Sequence, residues 1–275
     1  MFWSRLKHGA GKKIKLNIEI MPNKKIKNII NFAGVNVIRS NQEILKNITV
    51  NINSGENVIV FGPNGSGKST FLRLITRQIY PSYVDNNTVC RVCGKTVWDI
   101  KKLRNIMGIV SADMQYDFNY GISGFEVVLS GFFSSVGLFT NHKVTTTMLK
   151  KTEQITDFLE ISHLKNKYMN IMSAGEAKKF LIARALVNDP QILILDEPSN
   201  NLDVAASKKF KNILQKIIKH KTNVICITHH VSDIIPQMSR IIMFKNGQIV
   251  HDGETKNLLN SKNMSSLFDM NINLI

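Results

Sequence analysis

The segment 62–70 carries the residue types that are needed to hold a phosphate group. Its sequence, GPNGSGKST, fits the pattern G-x-x-x-x-G-K-[ST] in full. It follows the apolar run Val58–Phe61 and precedes a helical pattern over Lys68–Gln78, which is the context in which this pattern forms a phosphate-binding loop. Glycines allow consecutive N–H groups to turn inward around an anion, and the N-terminus of the following helix faces the same anion.

The sequence therefore predicts a site for a nucleoside triphosphate and Mg²⁺. The nine residues of the predicted loop are Gly62, Pro63, Asn64, Gly65, Ser66, Gly67, Lys68, Ser69 and Thr70. We expect Lys68 to reach the β- and γ-phosphates, and the hydroxyl of Ser69 to bind Mg²⁺.

Two adjacent acids, Asp196 and Glu197, follow a second apolar run, Ile192–Leu195. Asp196 is expected to help hold Mg²⁺. Glu197 lies one residue further along, where a carboxylate can polarise an attacking water molecule. Two acids at the end of a strand are weak evidence alone, but together with a phosphate loop they indicate nucleotide hydrolysis.

The elements that must position these residues alternate between strands and helices. Apolar runs of this length, rich in β-branched residues, are typical of strands buried on both faces of a parallel sheet. The three runs are Val58–Phe61, Ile192–Leu195 and Val224–Ile227. The helical patterns cover Lys68–Gln78, Gly175–Val187 and Val204–Lys219. The chain is therefore predicted to be an α/β protein.

Further segments fit around this frame. We expect an N-terminal antiparallel β subdomain from Lys27–Arg39 and Ile48–Ile52, and a hairpin around Asn246-Gly247 that joins Ile241–Phe244 to Gln248–His251. A helical subdomain at about 119–167 is inserted into the α/β frame, with helices predicted over Phe125–Phe133 and Val144–Leu159. The predicted organisation is a basic N-terminal extension, 1–27, followed by one domain over 28–270.

Composition limits the function classes. The formal net charge of +16 favours anionic partners, but the lysines are spread along the chain, which is typical of a solvated surface. Three cysteines do not make a disulfide framework, and the single CxxC of Cys90 and Cys93 lacks a second pair for zinc. The most apolar stretch, Val127–Phe139, is too short to cross a membrane. A membrane role would therefore need a separate partner.

Four features stand in the order found in ATP-binding-cassette (ABC) ATPases, and the chain resembles this family over roughly 28–269. They are the loop 62–70, the segment Met172–Glu176 (MSAGE, similar to the family signature LSGGQ), the acids running into Ser199–Asp203, and Thr228-His229. The resemblance implies a P-loop NTPase core that binds ATP and Mg²⁺. It also implies that His229, rather than His230, contacts the γ-phosphate.

The signature segment makes physical sense as an anion site. Ser173 and Gly175 begin a helical pattern, where a hydroxyl, bare backbone and a helix N-terminus attract an anion. In the family this site caps the γ-phosphate bound by the opposite subunit. The resemblance therefore implies a homodimer, or a heterodimer of two cassettes, around two ATP molecules. The alternative for Ser173 is an ordinary helix N-cap.

Several positions depart from the family pattern. Met172, Ala174 and Glu176 replace the commonest signature residues, and the methyl group of Ala174 is tolerable if its φ is negative. The family glutamine that follows a strand such as Ile106–Val110 is not in its usual place. We assign its metal-binding and water-linked role to the nearest glutamine, Gln115. In place of an adenine-stacking aromatic ring, the guanidinium of Arg39 could stack on the base, and the equal alternative is a weaker, less base-selective site.

Within the family, the chain resembles cassettes of the molybdenum- and iron-complex-transport type, through Trp98–Lys102, Val127–Phe133 and Thr228–His230. The implied function is that of the ATP-hydrolysing subunit that drives a separate transmembrane permease, cytoplasmic and peripheral on the inner face of the membrane. Four aromatic residues of the helical block form either the surface that docks on the permease or part of the hydrophobic core. These are Phe125, Phe132, Phe133 and Phe139.

The alternative is a soluble ABC-type ATPase that acts on nucleic acid or a ribosome, or in regulation. The net charge of +16 would suit nucleic acid. However, the chain has only one cassette. The interval between its two nucleotide motifs also lacks the sustained heptads of a coiled coil. No nucleic-acid partner is therefore expected.

Overall fold

A computed structural model describes residues 26–82, 85, 87–111, 114–118 and 121–274. Nearly all of the basic extension, residues 1–25, lies outside this part. The strands are β1 (Asn28–Arg39), β2 (Gln42–Asn53), β3 (Val58–Phe61), β4 (Val89–Val92), β5 (Met107–Val110), β6 (Ile192–Asp196), β7 (Asn223–Thr228), β8 (Arg240–Lys245) and β9 (Gln248–Glu254). The helices are α1 (Lys68–Ile75), α2 (Ile100–Ile106), α3 (Met114–Asp117), α4 (Gly124–Ser130), α5 (Thr146–Phe158), α6 (Ala174–Leu186), α7 (Val204–Lys219), α8 (Thr255–Leu258) and α9 (Ser261–Phe268).

The larger sheet has six strands in the order β5-β6-β7-β3-β8-β9. The first five run parallel, and β9 pairs antiparallel with β8. The side chains of β3 and β7 and the apolar ones of β6 are buried, as continuous β-branched runs require when helices cover both faces of a sheet. The predicted α/β class with a parallel sheet is confirmed.

The smaller sheet has three antiparallel strands in the order β2-β1-β4. The predicted N-terminal antiparallel sheet is therefore correct, although β2 begins at Gln42 rather than at Ile48. A tight turn at Ser40 and Asn41, both with positive φ, lets β2 pair with β1 from the turn onward. The first residues of β2 are polar. The sequence prediction relied on apolar residues, so it missed this part of the strand.

Helix α1 lies between the two sheets and joins them. The ring of Phe71 on α1 meets Phe32 of the small sheet edge-on, with centroids 6.0 Å apart. It also contacts Phe244 of the large sheet at 5.0 Å. All three side chains are buried, so one apolar layer fixes both sheets to the helix that follows the phosphate loop.

The helical block packs against α6 on the other side of the large sheet. Helix α4 is followed by a 3₁₀ turn, Gly131–Phe133, and α5 occupies most of the predicted Val144–Leu159 segment. The aromatic residues of this block, for which core and docking surface were the alternatives, are divided between the two. Phe125 belongs to the core at 6% exposure, so a docking role for it is wrong, whereas Phe139 is 58% exposed.

The three cysteines are free thiols of low reactivity. Cys90 and Cys226 are buried, and burial raises the pKa of both thiols. Burial raises the pKa of Cys93 to about 12. High pKa values keep the thiols protonated and unreactive. Across the ranges given above, no helix combines the length and apolar character needed to cross a bilayer.

The hairpin between β8 and β9 supports the glycine-rich loop that follows β3. Asn246 and Gly247 both have positive φ, as a two-residue hairpin turn requires. The N–H of Gly247 donates to the carbonyl of Ser66 at 3.0 Å, and its carbonyl accepts from the N–H of Lys46 at 2.8 Å. The turn therefore joins β2 to this loop.

Gly247→Ala is expected to lower the free energy of unfolding by about 2–4 kcal/mol. A Cβ atom at Gly247 would lie 2.4 Å from the carbonyl oxygen of Ile44, in addition to the strain of its φ of +80°. Gly94→Ala is the matched control, because its φ is +77° but nothing lies within 4 Å. The control should cost about 1 kcal/mol. Equal losses in urea unfolding would contradict the role of the Ile44 contact.

Candidate functional site

The loop 62–70 lies between β3 and α1, as its sequence predicted. At Gly62 it approaches other backbone so closely that a side chain is excluded. A Cβ at Gly62 would lie 2.2 Å from the carbonyl oxygen of Phe244. Gly65 and Gly67 have φ of +77° and +104°, which glycine adopts without strain. A Cβ at Gly65 would have nothing within 4 Å.

Lys68 lies folded against this loop. Its Nζ donates to the carbonyl oxygens of Gly62 and Pro63, both at 2.8 Å, and the residue is only 6% exposed. Burial lowers the pKa of Lys68, while the charges of Glu197 and Asp196 raise it. The buried hydroxyl of Ser66 has no hydrogen-bond partner among the described residues. A buried ammonium and an unpartnered hydroxyl beside a glycine loop fit a phosphate ligand.

The two acids are placed by the pairing of β6 with β7. Asp196 is aligned with Ile227, and the N–H of Glu197 donates to the carbonyl of Ile227 at 2.8 Å. Glu197 has a φ of +47°, a conformation that costs a non-glycine residue about 1–2 kcal/mol. The backbone is therefore held in an unfavourable conformation that directs the Glu197 side chain off the end of the sheet.

Glu197 and His229 lie together at this end of the sheet. Oε2 of Glu197 is 2.8 Å from Nδ1 of His229, and both side chains are mostly buried. The pair is an ion pair when the imidazole is protonated. The ring of His230 stacks at a tilt on His229, with centroids 3.8 Å apart. Its Nε2 is 3.1 Å from the side-chain oxygen of Asn200.

Mg²⁺ would find its expected oxygen ligands at the same edge. Ser69 is exposed at the start of α1, and Asp196 ends β6. A hydroxyl and a carboxylate beside bound phosphates are the ligands that Mg²⁺ takes in nucleotide sites. Gln115, the third predicted ligand, is in α3, and its side chain lies outside the described residues. Its role stays a prediction.

The signature segment caps α6. The hydroxyl of Ser173 accepts from the N–H of Glu176, and the carboxylate of Glu176 accepts from the N–H of Ser173 at 2.9 Å. This capping box explains why Glu suits the position of the family Gln. Hydrogen bonds from Lys167 and Ser173 lower the pKa of Glu176. Ala174 is helical with negative φ, so the condition set for its methyl group is met.

Ser173 and Gly175 face α7 of their own chain and not the loop 62–70. Together with Leu202, Asp203 and Lys209 they line a cleft between the starts of α6 and α7. Ser173 is exposed and is the N-cap of α6, and its binding of an anion stays a prediction. Arg39 is also exposed, at the end of β1 beside the turn into β2. Its stacking on adenine stays a prediction.

Lys178 is a buried cation that the sequence gave no reason to single out. It is 6% exposed, and its Nζ donates to the carbonyl of Asn200 at 3.4 Å. Burial lowers the pKa of Lys178, while Asp233 and Glu197 raise it. Asp233 is itself buried and accepts a hydrogen bond from the hydroxyl of Thr228. Lys178 thus ties α6 to the loop after Glu197.

Comparisons with known proteins agree with this geometry. Residues 45–200 match the family model described as ABC transporter. The chain is 31% identical to an ABC transporter ATP-binding protein of Bacillus subtilis, YlmA, over 90% of this chain and 93% of the relative.

Two solved structures share the fold. CbiO1 of Clostridium perfringens, part of the ABC transporter complex CbiONQ, superposes with a TM-score of 0.74 at 27% identity, covering 87% of this chain and 94% of CbiO1. The dimeric cassette MJ0796, bound to ADP and phosphate in a post-hydrolysis state, gives a TM-score of 0.64 at 25% identity. That match covers 82% of this chain and 98% of MJ0796.

Lys178→Met should lower the free energy of unfolding by about 1–3 kcal/mol, because it leaves the carboxylate of Asp233 buried without a nearby cation. Lys179→Met is the control, since it removes the same charge from the neighbouring, half-exposed position. We expect the control to change stability by less than about 0.5 kcal/mol. Urea unfolding measures both, and equal effects would show that charge alone is responsible.

Proposed function

The chain belongs to the ABC transporter family of ATP-binding proteins, and on that premise we propose that it is the ATP-hydrolysing subunit of a transporter. In this proposal two cassettes enclose two ATP molecules and drive a separate transmembrane permease from the cytoplasmic face of the membrane. The observation that carries the proposal is the meeting of Glu197 and His229, 2.8 Å apart, at the sheet edge that also bears the loop 62–70.

Each residue of this edge has a proposed role in hydrolysis. The N–H groups of the loop and Lys68 bind the β- and γ-phosphates, and Ser69 and Asp196 hold Mg²⁺. The metal ion, when bound, neutralises charge that develops on the phosphate oxygens. Glu197 orients water and accepts its proton, and His229 contacts the γ-phosphate. Lys68 is held at the loop by its hydrogen bonds to the carbonyls of Gly62 and Pro63.

The position of the signature residues supports a dimer. Ser173 and Gly175 face away from the loop of their own chain, so they would act on ATP held by a second cassette. The N-terminus of the 13-residue helix α6 would contribute its positive dipole to that γ-phosphate. MJ0796, one of the similar cassettes, is dimeric in a post-hydrolysis state with ADP and phosphate bound. A second copy of this chain or a related cassette would serve equally.

A transporter role is favoured over the soluble alternative. CbiO1, which resembles this chain over most of its length, is part of a transporter complex. The exposed Phe139 on the helical block offers an apolar contact for a permease. A net charge of +16 is the one observation that favours nucleic acid or a ribosome, and it is distributed rather than clustered.

Lys68→Ala is expected to weaken ATP binding about 10- to 100-fold, because it removes a charge-assisted contact worth roughly 1.5–3 kcal/mol. Lys102→Ala, at an exposed position on α2, is the matched control and should leave affinity unchanged. Titration with a fluorescent ATP analogue measures both. Undiminished affinity in Lys68→Ala would exclude the loop as the phosphate site.

Glu197→Gln should slow hydrolysis by about 10²- to 10⁴-fold while ATP still binds, because the amide cannot accept the proton of water. Size-exclusion chromatography with ATP should then show a stable dimer. Glu153→Gln, an exposed change on α5, is the control and should hydrolyse ATP at the wild-type rate. A Glu197→Gln enzyme with wild-type turnover would remove Glu197 as the base.

The permease is tested with the same variant. Tagged Glu197→Gln, expressed in its native cell and supplied with ATP, should co-purify from gently solubilised membranes with a stoichiometric polytopic membrane protein. Recovery from the cytosol alone, with ribosomes or nucleic acid attached, would instead establish the soluble ATPase.

A further inference from the structure

Two histidines and one carboxylate converge where β6 and β7 end. Glu197 follows β6, and His229 and His230 follow β7. Each offers one ligand atom, and the three atoms lie within 4.8 Å of one another. This is the only such group of three or more His, Cys, Asp or Glu ligands in the described part of the chain. Two imidazoles and a carboxylate are a ligand set that suits Zn²⁺ and neighbouring transition metals.

The distances are close to those of a bound metal. Zn²⁺ lies about 2.0–2.2 Å from nitrogen and carboxylate oxygen ligands, which places neighbouring ligand atoms of a tetrahedral site roughly 3.4 Å apart. Oε2 of Glu197 and Nδ1 of His229 are 2.8 Å apart, and the remaining separations extend to at most 4.8 Å. The separations therefore lie on both sides of the tetrahedral value, and binding of the metal would need the side chains to adjust.

Two of these atoms are left unsatisfied. Oε2 of Glu197 and Nδ1 of His229 are buried, and neither has a well-aligned hydrogen bond among the described residues. A carboxylate oxygen and an imidazole nitrogen this close are favourable only with a proton or a cation between them. The burial of both atoms makes a cation more stabilising than it would be in water.

Hydrogen bonds to neighbouring residues also hold the proposed metal ligands in place. The amide oxygen of Asn200 contacts Nε2 of His230 at 3.1 Å, and the N–H of His230 donates to the hydroxyl of Thr228 at 3.0 Å. The N–H of Glu197 is bonded to Ile227 of the neighbouring strand. Hydrogen bonds of this kind orient the ligands of metal sites and raise their affinity.

We propose that Glu197, His229 and His230 bind a transition-metal dication of the Zn²⁺ type, and that the bound metal arrests ATP hydrolysis. This site is distinct from the Mg²⁺ position at Ser69 and Asp196, because Mg²⁺ prefers oxygen ligands only. The metal would engage the oxygen of Glu197 that must accept a proton from water. The arrest, but not the metal binding, rests on the proposed function of Glu197.

The site is tested by Zn²⁺ binding to the full chain without nucleotide or Mg²⁺. Equilibrium dialysis should show one more Zn²⁺ per chain in the wild type than in His230→Gln at the same free Zn²⁺, with affinity reduced at least about tenfold in the variant. His163→Gln, an exposed histidine outside the cluster, is the control and should bind as the wild type does. Equal Zn²⁺ binding by the wild type and His230→Gln would overturn the site. Thermal unfolding of metal-free samples verifies that the variants are folded.

Inhibition is measured separately, as the Zn²⁺ concentration that halves ATP hydrolysis at fixed Mg²⁺-ATP. His230→Gln should need at least about tenfold more Zn²⁺ than the His163→Gln control. The same half-inhibitory concentration in both would overturn the inhibitory role. Because dialysis uses no nucleotide, loss of the metal site would leave the ATPase proposal standing. Conversely, wild-type hydrolysis by Glu197→Gln would contradict that proposal without touching the dialysis result.

Discussion

The parallel register of β6, β7 and β3 is the constraint on which the rest of the molecule depends. Phe61 is aligned with Thr228, and Asp196 with Ile227. Residues that follow these strands therefore emerge at one edge, although they come from three distant parts of the chain. The strands are buried on both faces, so a slip in register would draw the polar residues that flank them into the core. The hydrophobic core thus fixes the distances among the loop, the acids and the histidines.

Close backbone contacts then fix the loop against that edge. Gly62 lies against the carbonyl of Phe244, and Gly247 lies against Ile44, with no room for a methyl group at either place. These contacts join the small antiparallel sheet, the β8–β9 hairpin and the phosphate loop. The loop is consequently shaped before any ligand arrives, which lowers the ordering cost of binding.

Charge is concentrated at the same edge at some cost to stability. Lys68 and Lys178 are both buried, and the acids Asp196, Glu197 and Asp233 compensate them incompletely, since burial lowers the pKa of both lysines. The positive φ of Glu197 adds backbone strain. Such costs are typical of sites that bind charged ligands, because the ligand supplies the missing charge. Oε2 of Glu197 and Nδ1 of His229, which are buried without a hydrogen-bond partner among the described residues, add a cost to stability of the same kind.

The sequence by itself determined the α/β class, the parallel strands, the phosphate loop and the family, because apolar runs and glycine spacing act over a few neighbouring residues. It also placed Asp196 and Glu197 at a strand end. Tertiary structure alone decided which side chains meet: the contact of Glu197 with His229, the position of His230 against Asn200, and the burial of Lys178 and Phe125. These depend on strand register and packing between segments that lie far apart in the chain, about which local periodicity carries no information.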